Sequence, residues 1–208
     1  MKARMMFTAC TLAMLSATAF ADDGSLSVTA AAPRMRVQAQ VEMLPLGSGE
    51  TTMGSASSSR DAAIAYGISG AFDYAIGQYL RIGVAPRLVL NVTPDDAADG
   101  TKADKELDLR ARVIGHYPVQ PGLDLYAALT PGYTFVLSGT DGIDNATGFA
   151  IGGAVGLTYD VSPRMFVGGE VGYQRAFTST DLMVGTQSST VDLDLSYMHV
   201  GIGAGTRF

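Results

Sequence analysis

Residues 34–43 read RMRVQAQVEM, and in this stretch polar and apolar side chains alternate without a break. The odd positions carry Met, Val, Ala, Val and Met, while the even positions from Arg36 to Glu42 carry Arg, Gln, Gln and Glu. Successive side chains of a β-strand point to opposite faces, so a period of two predicts a strand with one apolar and one polar face. The stretch therefore indicates a β-protein.

The same period recurs along the rest of the chain, and it predicts eight strands. They cover residues 34–43, 62–73, 80–92, 106–117, 123–137, 148–160, 165–174 and a last strand ending at Phe208. Short turns (74–79, 118–122, 161–164) alternate with long polar connections (47–61, 93–105, 138–147, 175–190). This alternation is typical of an outer-membrane barrel, in which the short turns are periplasmic. An even number of strands then places both chain ends on that side.

The placement of lysine and of small residues separates a membrane barrel from a soluble one. After Lys2, the only lysines are Lys102 and Lys105, although soluble β-proteins commonly protect their edges with lysine. A lipocalin-like barrel or a sandwich is the soluble alternative, and it would need a polar outer face. The second faces of segments 62–73 and 148–160 consist largely of Ala and Gly, which neither solvate nor pack well.

In a bilayer every backbone polar group must be paired inside the protein, so strands span only as a closed barrel. Segments of roughly nine to eleven tilted residues are long enough to cross. We therefore predict an all-β fold, an eight-stranded antiparallel up-and-down transmembrane β-barrel over residues 34–208. The expected location is the outer membrane of a Gram-negative cell.

The N-terminal residues predict export. Lys2 and Arg4 precede an apolar run that ends in the small-residue site Ala19-Phe20-Ala21, which predicts a signal peptide over residues 1–21. Residues 22–33 would form a short periplasmic leader. The only cysteine, Cys10, falls within the signal, so we expect a mature protein without thiols. Cleavage would leave 12 basic against 20 acidic side chains, a charge of −8 that argues against a nucleic-acid partner.

Charged residues occur on the faces that would point into the barrel. Eight strands give an interior just wide enough for side chains to fill, and buried charges must be paired. The sequence therefore predicts an ionic network that fills the lumen and leaves no wide pore. Its predicted members are Arg36, Glu42, Asp73, Arg81, Arg87, Glu106, Asp108, Arg110, Arg112, Asp124 and Glu170.

Two features of the predicted strands depart from regular alternation. Pro86 and Pro131 fall inside strands, where each removes a backbone donor, and we expect a β-bulge at each. In the last strand the apolar phase changes near Tyr197. This change predicts either a bulge there or a strand that begins later than its hydrophobicity suggests.

Two stretches resemble a known family. They are GLTYDVSPRMFVGGEVGYQ at 156–174 and VGIGAGTRF at 200–208. The chain resembles the small outer-membrane barrels of the OmpA/OmpX type over essentially all of residues 34–208. The resemblance implies that the terminal aromatic, Phe208, is the signal read by the barrel-insertion machinery. No periplasmic peptidoglycan-binding domain is expected, so the tethering role of OmpA is not implied.

No motif in the chain predicts catalysis or a cofactor. His116 and His199 do not stand in an H-x-S arrangement like that of lipid A deacylase barrels, and G-x-S-x-G is absent. Residues 95–106 imitate a calcium loop, but Ala97 replaces a ligand, so we interpret the segment as an acidic loop. We expect no catalytic residues, no metal and no cofactor.

The function expected from the sequence is a structural or surface-interaction role without catalysis. A narrow, porin-like diffusion channel is the alternative, and a lipid-modifying enzyme is a third hypothesis. The expected partners are outer-membrane lipid and lipopolysaccharide, and the insertion machinery during biogenesis. An extracellular ligand could bind at the four long connections, and a monomer is expected.

Overall fold

The computed structural model of the chain describes residues 34–97, 102–139, 144–184 and 187–208. The predicted signal peptide and leader lie outside these residues. In the described part of the chain, no helix is long and apolar enough to cross a membrane. The strands are β1 Met35–Met53, β2 Ala56–Ala62, β3 Ala65–Ala75, β4 Leu80–Val92, β5 Asp104–Gln120, β6 Leu123–Leu137, β7 Ala146–Asp160, β8 Met165–Val184 and β9 Gln187–Arg207.

These strands form a closed ring of eight. All neighbouring pairs are antiparallel, each strand from β3 onward pairs with the next, and β1 pairs with both β3 and β9. β2 does not add a ninth position to the ring, because it continues β3 along the same edge of β1. The pairs Leu44↔Ala65 and Gly47↔Ala62 show this continuation. The prediction of an eight-stranded antiparallel up-and-down barrel is confirmed.

The faces of the ring are inverted relative to a soluble barrel. On β1 the outward side chain of Val41 is 57% exposed, whereas the inward Arg36 and Glu42 are buried. On β4 the inward Arg87 is only 1% exposed. An apolar outer band with a charged interior is stable only where the surroundings are apolar, as in a bilayer. The alternation in the sequence thus sets the direction of each side chain.

For two of the four long connections, the prediction of a loop is wrong, because the segments form β-hairpins. Segment 47–61 belongs to a β-hairpin, in which β1 and β2 pair as far as Met53↔Ala56 and the turn contains Gly54 with a φ of 61°. Segment 175–190 belongs to the β8–β9 hairpin, whose pairing extends to Val184↔Gln187. The β1–β2 hairpin lacks an apolar stripe, so its pairing left no signal in the alternation of the sequence. In the β8–β9 hairpin Val191, Leu193 and Leu195 do alternate with Asp192 and Asp194, but in the opposite phase to the outward apolar residues of the barrel.

The two hairpins are joined by pairing between β1 and β9, which continues to Thr52↔Asp192. They form a four-stranded sheet, here called the hairpin sheet, at one end of the barrel. We call this end the hairpin end and the opposite end, with turns 76–79, 121–122 and 161–164, the turn end. The predicted loops 93–105 and 138–147 are largely irregular where they are described, with β5 beginning at Asp104 and β7 at Ala146.

The bulges predicted at Pro86 and Pro131 are wrong. Pairing is interrupted beside each proline, between β3 and β4 and between β5 and β6, but the register is the same on both sides of the gap. A missing N–H removes one ladder bond, and this loss does not require an extra residue. The Nε of Arg110 donates to the Ala85 carbonyl beside the first gap, at 3.5 Å.

The register shifts occur at other places. One residue is inserted in β1 between Met43 and Leu46, one in β4 between Val89 and Val92, and one in β5 between Pro118 and Gln120. The β4 shift contains Asn91, with a φ of 63°. β-bulges of this kind bend a strand and increase its local twist.

Both explanations offered for the phase change near Tyr197 are wrong for β9. This strand begins at Gln187 and keeps one register with β8 as far as Thr206. Tyr197 and Leu195 point inward, while Met198 points outward. The pattern changes because the outer face becomes polar and the inner face apolar at this height. The irregularity lies in the neighbouring strand, at Met43–Leu46 of β1.

Candidate functional site

The eleven charged residues selected from the sequence lie on the inward face of the barrel. Asp124 and Glu170 retain side-chain exposures of 22% and 9%. The other nine are buried: Arg36, Glu42, Asp73, Arg81, Arg87, Glu106, Asp108, Arg110 and Arg112. Their side chains converge from different strands, because inward positions recur every second residue on each strand.

Arg87 lies at the middle of the first group, which we call the central cluster. Its Nε is 2.7 Å from a Glu42 oxygen and its Nη1 is 3.4 Å from an Asp108 oxygen. Nη1 also lies 3.1 Å from the Gln174 amide oxygen and 3.1 Å from the Tyr197 hydroxyl. The guanidinium thus contacts Asp108 on the adjacent strand β5 and residues of the non-adjacent strands β1, β8 and β9.

Neutral side chains supply further hydrogen bonds to the carboxylates of the central cluster. Asp108 accepts from the Thr134 hydroxyl at 2.5 Å and from the Gln174 amide at 2.9 Å. Glu106 accepts from the hydroxyl of Tyr197. Glu42 accepts from Ser69 at 2.6 Å, and Arg110 lies 4.0 Å from Glu42 and 3.3 Å from the Gln174 oxygen. Charge-assisted bonds of this kind are about twice as strong as neutral ones.

A second group, the turn-side cluster, lies nearer the turn end. Arg36 donates from Nε and Nη2 to one oxygen of Asp73, at 3.1 and 2.9 Å. Arg112 lies 3.7 Å from both Asp73 and Glu170 and so connects the two acids. Glu170 also accepts from the Tyr126 hydroxyl at 2.7 Å, and His199 Nε2 is 3.4 Å from it.

A third group, the mouth group, lies at the turn end itself. Arg207 of β9 spans the mouth to Asp160 at 2.6 Å and Asp124 at 3.4 Å. Its guanidinium also lies 5.2 Å from the centre of the Phe166 ring, a cation–π distance. Arg81 and His116 are inward members of this group, and neither has an ion pair within 4 Å in the described parts of the chain.

Sequence reasoning missed several members of these clusters, among them Tyr126, Asp160, Gln174, Tyr197, His199 and Arg207. Most of them share the inward phase of residues that were selected. Gln174 is four residues after Glu170, and His199 and Arg207 fall on the inward positions of β9. A rule that took every polar residue on the inward phase would have found these three. Tyr197 stands where the apolar phase of the last strand changes, so the sequence does not predict its direction.

An apolar layer covers the central cluster on the side of the hairpin end. Leu44, Ala65, Val89 and Tyr197 form a buried group, and Val92 and Leu195 pack against it. Between the central and turn-side clusters there is a residual cavity of about 10 Å³, lined among others by Arg110, Arg112 and His199. A space of this size holds roughly one water molecule. Charged groups toward the turn end and apolar groups toward the hairpin end therefore fill the lumen.

Neither histidine hydrogen-bonds a serine within the described ranges. In the same residues, no three His, Cys, Asp or Glu side chains are grouped so that they could hold a metal ion. Phe208, selected as an insertion signal, lies at the turn end of the β9–β1 pair and is 62% exposed. Its N–H donates to the Met35 carbonyl at 2.9 Å, and its own carbonyl accepts from Met35 N–H at 3.2 Å.

Solved structures share this architecture. OprG from Pseudomonas aeruginosa is 15% identical over 85% of this chain and 96% of its own length, with a TM-score of 0.65. AlkL is 13% identical over 90% of this chain and 96% of its own, with a TM-score of 0.56. Neisserial surface protein A is 17% identical over 84% and 97%, with a TM-score of 0.50.

These low identities show a common fold and no more. No curated protein sequence matches the chain. The model of the outer membrane protein beta-barrel domain matches residues 7–208, which is nearly the whole chain. With its closed ring, apolar outer band and filled polar interior, the chain belongs to the outer membrane protein beta-barrel domain family.

Proposed function

We propose that this protein is a sealed outer-membrane barrel that has a structural or surface-interaction role and does not conduct solutes. The observation that carries the proposal is the filled lumen. Two ionic clusters and an apolar layer occupy the interior, and the cavity between the clusters has room for about one water molecule. A solute could pass only if several buried ion pairs separated together.

The proposed orientation places the turn end in the periplasm and the hairpin end outside the cell. Outer-membrane barrels have short periplasmic turns and longer extracellular connections. The outer face of this barrel supports that orientation. Leu46 and Met198 form an outward apolar pair, and the next outward pair is Ser48 and Ser196, whose hydroxyls are 2.9 Å apart. The apolar band therefore ends on this side below the hairpin sheet.

The hairpin sheet is the surface we propose for contact with an extracellular partner. It stands beyond the apolar band, and its outer face is mostly polar, with Phe177 exposed beside Arg175. Arg175 and Asp194 form an ion pair on this face, and Glu50 pairs with Asp194 across β1 and β9. The described parts of the connections 93–105 and 138–147 lie at the same end. Lipid and lipopolysaccharide contact the outer band, and Phe208 is the proposed signal for the insertion machinery.

The test of the sealed lumen is conductance in planar lipid bilayers. Purified protein should insert without steady conductance steps, and an open porin measured in the same bilayers provides the positive control. Discrete, long-lived steps from the wild-type protein would contradict the sealed lumen. The narrow diffusion channel would then be the better account of the function.

The absence of catalysis is proposed on the lack of a local motif and is tested separately. Overproduction of the protein should leave the mass spectrum of lipid A unchanged. The matched control is a strain that carries the empty vector. A new lipid A species that appears only with the protein would show that the barrel modifies lipid.

A further inference from the structure

Six arginines point into the barrel, and one of them differs from the rest. In the described residues, five have a carboxylate oxygen within 4.0 Å: Arg36, Arg87, Arg110, Arg112 and Arg207. Arg81 has none, although it is only 8% exposed. Its Nη1 is buried and has no hydrogen-bond partner. A buried guanidinium without a counter-charge is costly, so the position calls for an anion.

The groups around Arg81 include further donors without partners. His116 lies on the neighbouring strand β5, on which Ile114 is the register partner of Arg81. The backbone N–H of His116 donates to the Tyr79 carbonyl at 2.9 Å. Both ring nitrogens of His116 are buried and have no partner. Arg207 uses its two terminal nitrogens on Asp124 and Asp160, and its Nε is also buried and unpaired.

These donors belong to one electrostatic group. Arg36, Arg207, Asp73 and Asp124 are among the charged groups that surround Arg81. Both acids of this set already contact another arginine: Asp73 contacts Arg36 and Arg112 through Oδ2 and leaves Oδ1 without a partner, and Asp124 contacts Arg207. In the described residues, however, no carboxylate oxygen lies within 4.0 Å of the Arg81 guanidinium, so its charge has no direct partner at the turn end.

We propose that Arg81, with His116 and the Nε of Arg207, binds a small oxyanion, a phosphate or a carboxylate, at the turn-end mouth of the barrel. The planar guanidinium matches the geometry of two oxygens of such a group, and an imidazole N–H adds a third donor. The site lies on the turn-end side of the turn-side cluster. In the proposed orientation it opens to the periplasm, and its ligand enters from there.

The experiment uses the purified protein in octyl glucoside, a detergent without phosphate. Inorganic phosphate is titrated and observed by ³¹P NMR, and ¹³C-labelled acetate is titrated in a parallel series at the same ionic strength, set with chloride. Wild-type protein should broaden the phosphate or the acetate signal in a saturable way, and the responding anion identifies the ligand class. No saturable effect on either signal would overturn the proposal.

Variants decide whether Arg81 carries the binding. Arg81→Gln should weaken binding at least tenfold, and Arg81→Lys by less, because it keeps the charge and loses the planar fork. Arg175→Gln is the matched control, since Arg175 is exposed on the outer face at the hairpin end, and it should bind like the wild type. Equal binding by Arg81→Gln and wild type would overturn the proposal.

Folding of each variant is checked by the difference in migration between unheated and boiled samples. If Arg81→Gln does not fold, His116→Ala and Arg81→Lys carry the test, and both should weaken binding severalfold. Wild-type affinity in both would then reject the site. Failure of this proposal would leave the sealed lumen untouched, because conductance is measured independently and the central cluster contains neither residue.

Discussion

The Arg87 guanidinium contacts residues of four other strands, and no other side chain in the described interior connects the central cluster so widely. Its removal would leave Glu42 with the more distant Arg110, and Asp108 with neutral donors alone. Removing one partner of a buried ion pair typically costs about 3–5 kcal/mol, because a charge is left without compensation. Water that enters the barrel would reduce this cost.

Arg87→Ala should therefore lower the free energy of unfolding by about 3 kcal/mol, measured by urea unfolding in lipid bilayers. Arg175→Ala removes an ion pair whose arginine is half-exposed, and exposed pairs contribute at most about 1 kcal/mol. The comparison separates burial from the simple loss of an arginine. Equal unfolding midpoints for the two variants would mean that the lumen is well hydrated, and an open pore would then fit better.

Gly148 shows how closely the strands approach inside the barrel. A Cβ at this inward position of β7 would overlap the backbone carbonyl of Phe177 on β8. Backbone cannot move aside as a flexible side chain can. Gly148→Ala should therefore destabilise the barrel by about 1–3 kcal/mol in the same unfolding assay.

Gly115→Ala is the control for this prediction, because a Cβ there meets no atom within 4 Å. That substitution should be neutral or slightly stabilising, since alanine reduces the freedom of the unfolded chain. If Gly148→Ala unfolded at the wild-type denaturant concentration, the close approach of β7 and β8 would be refuted.

At the scale of single elements, the hairpins and turns define the two ends of the barrel. Ser57 lies in β2 of the hairpin sheet, and Ser162 lies in the turn between β7 and β8. Because Cys10 falls in the predicted signal peptide, introduced cysteines would be the only thiols of the exported protein. A membrane-impermeant maleimide added to intact cells should label Ser57→Cys and not Ser162→Cys. The opposite labelling would invert the proposed orientation.

Two elements show where alternation misleads. Segment 47–61 is rich in Gly, Ser and Thr, a composition that predicts a loop, but it forms most of a hairpin beyond the apolar band. Outside the bilayer a strand needs no apolar face, so pairing there leaves no period in the sequence. At Pro86 the sequence predicts a β-bulge that is absent. The missing donor interrupts the hydrogen-bond ladder without shifting the register.

At the scale of the whole molecule, ring closure between β1 and β9 leaves the barrel wall without free edges. All spanning strands must then separate together, and unfolding is correspondingly cooperative. The refolded protein should resist unheated SDS and migrate differently after boiling, with β-structure seen by circular dichroism until it is heated. A chain truncated after Val184, which lacks β9, should show no such shift. Identical migration of unheated and boiled wild-type protein would contradict the closed ring.

The amino-acid sequence by itself determined the fold class, because a period of two fixes which side chains share a face. From Arg34 onward this period predicted eight strands, and on β5 it placed Glu106, Asp108 and Arg110 together on the inward side. A lysine-poor chain with an apolar second face then required a bilayer around the barrel. Each of these inferences depends only on the succession of residues within a strand, which can be read directly from the sequence.

Only the tertiary structure decided which inward groups meet. Arg87 and Tyr197 are 110 positions apart and touch across the lumen, and Arg207 reaches Asp124 over 83 positions. Such contacts depend on the relative height of non-adjacent strands, which follows from the register around the whole ring and from the bulges in β1, β4 and β5. The same heights leave Arg81 without a carboxylate oxygen within 4.0 Å in the described residues, while Asp73 and Asp124 contact arginines of other strands.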